Sequence, residues 1–225
     1  MSIRSEERLS ESPFVETITR GWTQCDSSTI RPAESSLHLV IVRYQGHAQA
    51  LVVGACPTSG MISYLEGAEL LWIKFRLGTF LPAIPTRTLL DKETPLLEAA
   101  SHSFWLNGSA WQFPDFENAD TFVDQLVRNG VIHRDEIVSA VLQGHQIDAA
   151  PRTIRHHFLH TTGLTHTHIQ QIGRARQTAE LLHQGTSILD AMDTAGYYDQ
   201  PHLTRALKQW VGHTPAQIIR QGKHE

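Results

Sequence analysis

The stretch that most constrains this chain runs from Ser187 to Pro215, SILDAMDTAGYYDQPHLTRALKQWVGHTP. Ser187 is a suitable N-cap, and Ile188, Ala191, Met192 and Ala195 recur after it at helical spacing. Gly196, free to adopt positive φ, ends that helix. Tyr197 and Tyr198 make a short connection, and Asp199 offers a second N-cap. Leu203, Ala206, Leu207 and Trp210 give the next helix one apolar face, and Gly212 closes it. Two short capped helices joined across a glycine turn form a helix-turn-helix, whose second helix can lie in a DNA major groove. A plain helical hairpin in a core has the same pattern. The opposite face of the second helix carries Pro201, Thr204, Arg205, Lys208 and Gln209, with His202 at its edge. Such a face suits phosphate and base-edge contacts, and it suits solvent equally.

The run resembles the second helix-turn-helix of the AraC/XylS family of bacterial transcription regulators. The residues that carry the resemblance are Ile188 with Asp190, Gly196-Tyr197, Asp199, Leu203, Arg205, Leu207-Lys208 and Gly212-His213-Thr214-Pro215. Met192 stands where the family usually has a small Ala, and Leu203 and Leu207 replace the usual Phe pair. Upstream, Ala150-Pro-Arg-Thr-Ile-Arg-His-His-Phe-Leu-His160, followed by Thr162-Gly163, resembles the family's first recognition helix. There Ala150 replaces the usual Ser cap and His156 the second Arg. The cap change is worth up to ~1 kcal/mol, and the imidazole makes that phosphate contact weak or dependent on pH. Between the two, Thr165 to His183 matches the family's linker helix. Ile169, Ile172, Ala175, Ala179 and Leu182 lie on one of its faces, Gly173 weakens it locally, and Thr178 stands at a usual Ala position.

At 225 residues the chain is long enough for one large or two small domains with a core of their own. Its formal net charge of −4 argues against nucleic acid only until the chain is divided. Residues 122–225 hold 10 Lys and Arg against 9 Asp and Glu, together with 11 of the 14 histidines. DNA affinity should therefore not come from bulk charge alone. No run approaches the ~18 apolar residues of a membrane span, and the polar start MSIRSEERLSESPF lacks the apolar core of a signal peptide. Cys25 and Cys56 have no metal-ligand spacing and are too few for a disulfide framework, which points to the cytoplasm.

Phe14 to Trp22, Leu37 to Tyr44, Ala48 to Val53, Met61 to Tyr64 and Leu70 to Leu77 read as strands, with Gln45-Gly46-His47 as a hairpin turn. The nearly continuous apolar run of the last suggests burial on both faces. Close spacing of this kind predicts a small sheet or barrel, either a ligand pocket or a filled core. Glu93 to Trp105 reads as a helix, with Thr94 before Pro95 and then Leu96, Leu97, Ala100 and Phe104. Asn107 to Asn118 is broken by Gly108 and Pro114, yet its Trp111, Phe113 and Phe116 predict docking rather than a loose tether. Phe122 to Val131 and a segment starting at Asp135 read as helices. The stretches Ile73 to Gly78, Phe104 to Gly108 and Trp111 to Phe116 loosely resemble the β-rich N-terminal domain of some AraC-type regulators, which implies effector sensing or association.

The expected fold is thus α+β: a β-rich sheet or barrel domain over residues 1–120, then an all-α domain over 121–225 with two helix-turn-helix units on a long linker helix. The resemblance implies a sequence-specific, non-enzymatic regulator without a cofactor. Double-stranded DNA is its partner, and RNA polymerase, a small-molecule effector and a second copy of the chain are further candidates. Arg152, Arg155, Arg205 and Lys208 would position phosphates, and Thr153, His156, Gln200, His202 and Thr204 would reach base edges. The competing reading is a small-molecule-binding or cupin-like β-barrel metalloenzyme with a helical assembly domain. His156 and His160 have a zinc-compatible i, i+4 spacing but no acidic third ligand between them, and His38 and His47 lie on candidate adjacent strands.

Overall fold

Alternating apolar residues in the first half of the chain build a six-stranded antiparallel sheet in the order β1-β2-β7-β4-β5-β9. The computed structural model describes residues 3–222. In chain order the elements are β1 (Ile3–Leu9), β2 (Val15–Thr23), β3 (Ser27–Arg31), β4 (His38–Tyr44), β5 (His47–Val53), β6 (Gly60–Tyr64), β7 (Glu69–Phe75) and β8 (Thr79–Phe80). There follow α1 (Thr86–Leu89), β9 (Glu93–Pro95), β10 (Glu98–Ala100), β11 (Ser103–Leu106), β12 (Ser109–Gln112), α2 (Ala119–Arg128) and β13 (His133–Arg134). The remainder is helical: α3 (Glu136–Leu142), α4 (Pro151–Thr162), α5 (His166–His183), α6 (Ile188–Thr194), α7 (Gln200–Trp210) and α8 (Pro215–Gly222). The expected succession of β-rich sheets and an all-helical region is therefore what the chain forms. No helix among the described residues is long and apolar enough to cross a membrane.

Two compact units result. One comprises the chain through Ser27, Ser36–Ala55 and Ser63–Thr165; the other comprises Ser28–Ser35, Cys56–Ile62 and the chain from His166 onward. In the first unit, Ile18, Leu39, Ile41, Ala50, Val52, Leu71, Ile73 and Phe75 project from one sheet face into a single apolar cluster with Phe122, Val123 and Leu126 of α2. Each fully buried aliphatic or aromatic side chain there contributes roughly 1.5–3 kcal/mol. β7 lies between β2 and β4; Leu71, Ile73 and Phe75 bury one face, while on the other Leu70 is buried but Trp72 and Lys74 are only half-buried, so the expected burial on both faces is incomplete. Gln45 (φ +49°) and Gly46 (φ +81°) form the tight turn between β4 and β5. Asp120, in the first turn of α2, accepts from Arg8 Nη1 at 2.6 Å and from the Ser10 hydroxyl, tying β1 and its exit to the helix. Trp111, Phe113 and Phe116 pack on the cluster, so the aromatic connection docks as expected.

The helix expected over Glu93 to Trp105 does not form. Glu93–Pro95 pairs with β5 at the sheet edge, where a proline without an N–H is tolerated, and β10, β11 and β12 make a three-stranded meander. Phe104 and Leu106 are buried while Trp105 is exposed, a two-residue period that overrides the apparent helical spacing. Asn107 (φ +51°) and Gly108 (φ +76°) close the hairpin between β11 and β12. This Asn-Gly pair is a strong hairpin signal.

Within the first unit's core, a void lined by His38, Val52, Leu106, Leu126 and Ile132 among others holds about 10 Å³. A single water needs about 10–15 Å³, so this part of the core is filled rather than a ligand chamber. Register also separates the two strand histidines. His38 faces Val53, whereas His47 faces Tyr44, six residues further along β4. At about 3.4 Å per residue that is roughly 20 Å, too far to share an ion.

Candidate nucleic-acid interface

The first helix-turn-helix is α3 and α4, both in the first unit. Asp135 caps α3, its Oδ1 accepting from the Val138 N–H at 2.9 Å. Its other oxygen lies 2.6 Å from His157 Nδ1, so one carboxylate joins the start of α3 to the middle of α4. Phe158 is the buried anchor of α4. Thr161 and Thr162 are also buried, their hydroxyls donating back to the carbonyls of His157 and Phe158 at 2.9 and 2.8 Å. Gly163 ends the helix at φ +73°, and the Leu90 side chain approaches it so closely that a Cβ would lie 2.8 Å from Leu90 Cγ.

The other side of α4 presents Arg152, Thr153, Arg155 and His156 to solvent. His160 shares this side but is partly committed, its ring stacked near His156 (6.1 Å) and edge-on to Phe80 (5.2 Å). Ala150 provides no side-chain cap, although its φ of −61° and ψ of 145° are those of a capping residue. Ala150→Ser is accordingly expected to stabilise α4 by about 1 kcal/mol. In a chain of this length that is a rise of roughly 2–4 °C in Tm by calorimetry, and an unchanged midpoint would contradict the cap assignment.

The second helix-turn-helix lies in the second unit. Ser187 caps α6 through the Asp190 N–H, and Asp199 caps α7 by accepting from the His202 N–H at 2.6 Å. Gly196 turns the chain at φ +68°. Leu203, Ala206, Leu207 and Trp210 are buried, as their spacing predicts. Gln200, Arg205 and Lys208 are exposed, while His202 and Thr204 are half-buried. His202 sets its ring edge-on to buried Tyr197 at 5.1 Å, and Arg174 of α5 lies over the same phenol at 4.4 Å. Burial raises the Tyr197 pKa above its ordinary value against the opposing influence of Arg174, so the hydroxyl stays neutral. In α6 the fully buried residue is Ala191 and Met192 is only half-buried, so a small residue does occupy the tightest position.

On α5 the buried position is Thr178 rather than Ala179, its hydroxyl satisfied by the Arg174 carbonyl at 2.7 Å. Tyr198, in the turn before α7, is 92 % exposed and places an aromatic ring and a hydroxyl beside the start of that helix. An aromatic residue next to an N-cap in a polar turn was the available signal.

Each helix pair thus has a buried apolar side and an exposed polar side, with Arg152, Thr153, Arg155 and His156 on α4 and Gln200, Arg205 and Lys208 on α7. A sequence model of a helix-turn-helix domain family matches residues 145–221, spanning α4 to α8. That segment is an AraC-type helix-turn-helix domain, and its presence makes the chain a DNA-binding transcription regulator. No curated protein and no solved structure matches the chain.

Proposed function

We propose that the chain is a sequence-specific, non-enzymatic cytoplasmic regulator whose two helix-turn-helix units read successive major grooves, ~34 Å apart on one face of the duplex. In this reading residues 121–225 bind DNA and residues 1–120 sense an effector or mediate association, with a second copy of the chain and RNA polymerase as candidate partners. One observation carries it. All nine residues singled out from sequence lie on exposed or half-buried positions of α4 and α7, while Phe158 of α4 and Leu203, Ala206, Leu207 and Trp210 of α7 are buried on the other side.

Arg152, Arg155, Arg205 and Lys208 fit phosphate positioning. Thr153, His156, Gln200, Thr204 and His202 fit base-edge contacts, His202 with its ring already resting on Tyr197. An effector has little room in the small core void. The open groove of about 610 Å³ over β1 and β2, lined by Arg4, Ser5, Glu6, Arg20, Trp22 and Gln24, offers the volume of a small-molecule site.

Selection of a bound sequence from random DNA, followed by footprinting, tests the reading. A protected site longer than about 15 base pairs is expected for two heads in successive grooves; equal affinity for random duplexes would remove it. On the selected site, Arg205→Ala and Lys208→Ala should each reduce the slope of log K against log salt by about one. An unchanged slope would take those residues off the phosphates.

A further inference from the structure

The last four carbonyls of an α-helix have no partners inside the helix, and buried ones must find them elsewhere. In α7 these belong to Leu207, Lys208, Gln209 and Trp210. The Leu207 oxygen accepts from the Val211 and Gly212 N–H groups at 2.8 and 2.9 Å. The other three are met from far upstream in sequence, by Ser59 and Ala33. The Ser59 N–H donates to Gln209 at 2.8 Å, and the Ser59 hydroxyl lies 3.1 Å from the oxygens of both Lys208 and Gln209. The Ala33 N–H donates to Trp210 at 2.7 Å. Every carbonyl at the end of this helix is therefore satisfied, and three of the four by residues outside the matched segment 145–221.

The two donating segments are themselves braced. Glu34 and Cys56 exchange backbone hydrogen bonds at 2.8 and 2.6 Å, which clips the segments to each other. The Glu34 carboxylate meets Arg176 of α5 at 3.0 Å, and His168 of α5 lies 3.0 Å from the Pro57 carbonyl. Gly212, at φ +88°, leaves space that a Cβ would take from Ile30 and Ser59. All of these residues belong to the second compact unit.

We propose that Ser59 and Ala33 are positioning residues for DNA reading: they cap the carboxyl end of α7 and thereby fix the pose of the helix that presents Gln200, Thr204 and Arg205. The inference rests on α7 being a reading helix. It makes residues 28–35 and 56–62 part of the second head, and it gives any event that displaces them a direct effect on recognition.

The test uses the full chain and its selected duplex. Ser59→Ala removes the shared hydroxyl bond and Ser59→Thr retains it. Discrimination between the selected and a scrambled duplex should fall by about 3- to 10-fold in Ser59→Ala, as expected for one net hydrogen bond, and return in Ser59→Thr. Affinity for the scrambled duplex and its salt slope should stay unchanged. Residue-resolved amide exchange should show the Ala33 and Ser59 N–H groups as slow as the interior of α7. Unchanged discrimination in Ser59→Ala with only a lowered Tm would overturn the positioning role, as would fast exchange at both amides. If the wild-type chain discriminates no duplex, the regulator reading and this role fall together, whereas slow exchange would still report the cap itself.

Discussion

Leu207→Ala is expected to lower stability by about 2–5 kcal/mol, since the side chain is fully buried between α7 and its supports and its loss leaves a cavity. With roughly 2–4 °C per kcal/mol in a chain of this size, the thermal midpoint should fall by about 4–20 °C. Arg205→Ala, two residues away on the exposed side of the same helix, should stay within about 0.5 kcal/mol of wild type yet weaken DNA binding. The two variants thus form a crossed pair. Under the proposed reading, Leu207→Ala should lose DNA protection only because α7 is undermined, whereas Arg205→Ala should lose it through a missing contact. Calorimetry and duplex titration of both would settle the assignment of faces. Equal loss of stability in the two, or a stable Leu207→Ala chain, would show that α7 is not oriented as described.

Gly54→Ala should be the most damaging glycine replacement in the first unit. Its Cβ would overlap the backbone carbonyl of Leu89, and backbone cannot swing aside as a side-chain end can. That carbonyl also accepts from the Lys92 N–H at 3.1 Å, while the Gly54 N–H donates to Lys92 and the Asp91 N–H to Ala55. Relief therefore requires moving α1 with the turn after it, including the Leu90 that packs on Gly163 at the end of α4. A cost of about 3 kcal/mol is expected from forced overpacking. Gly163→Ala should cost less, because the φ penalty is about 1–2 kcal/mol and the Leu90 side chain can yield. Gly46→Ala, with a positive φ but open space, should cost the φ term alone. Denaturant unfolding of the three should rank them in that order, and a neutral Gly54→Ala would refute the close approach.

The two helix-turn-helix units were legible because their signals are local. Caps, glycine stops and apolar spacing act within about a dozen residues, and Ser187, Asp135, Asp199, Gly163, Gly196 and Gly212 all end or start helices where they stand. The Thr214-Pro215 pair of the motif also has a local consequence: Thr214 and Gln217 form a reciprocal capping box that starts α8. Glu93 to Trp105 was misjudged for the opposite reason. Leu96, Leu97, Ala100 and Phe104 imitate a helical stripe, and only pairing with β5 and β12 reveals which spacing is used. β1 was missed because its exposed, charged residues carry almost no apolar alternation; its strand character comes from full register with β2 and from the Arg8–Asp120 tie.

From the sequence alone came most helix ends of the carboxyl-terminal half, four of the six strands of the main sheet, the nine candidate contact residues and the two helix-turn-helix units, because hydrogen-bond caps and amphipathic periods are written within a single element. Tertiary structure alone decided that Thr178 is buried, that His202 rests on Tyr197, that part of the sheet's core holds only a minute void, and that Ser59 and Ala33 cap α7. These depend on which unsatisfied carbonyl or apolar face meets which distant segment, and no periodicity along the chain encodes a partner 150 residues away.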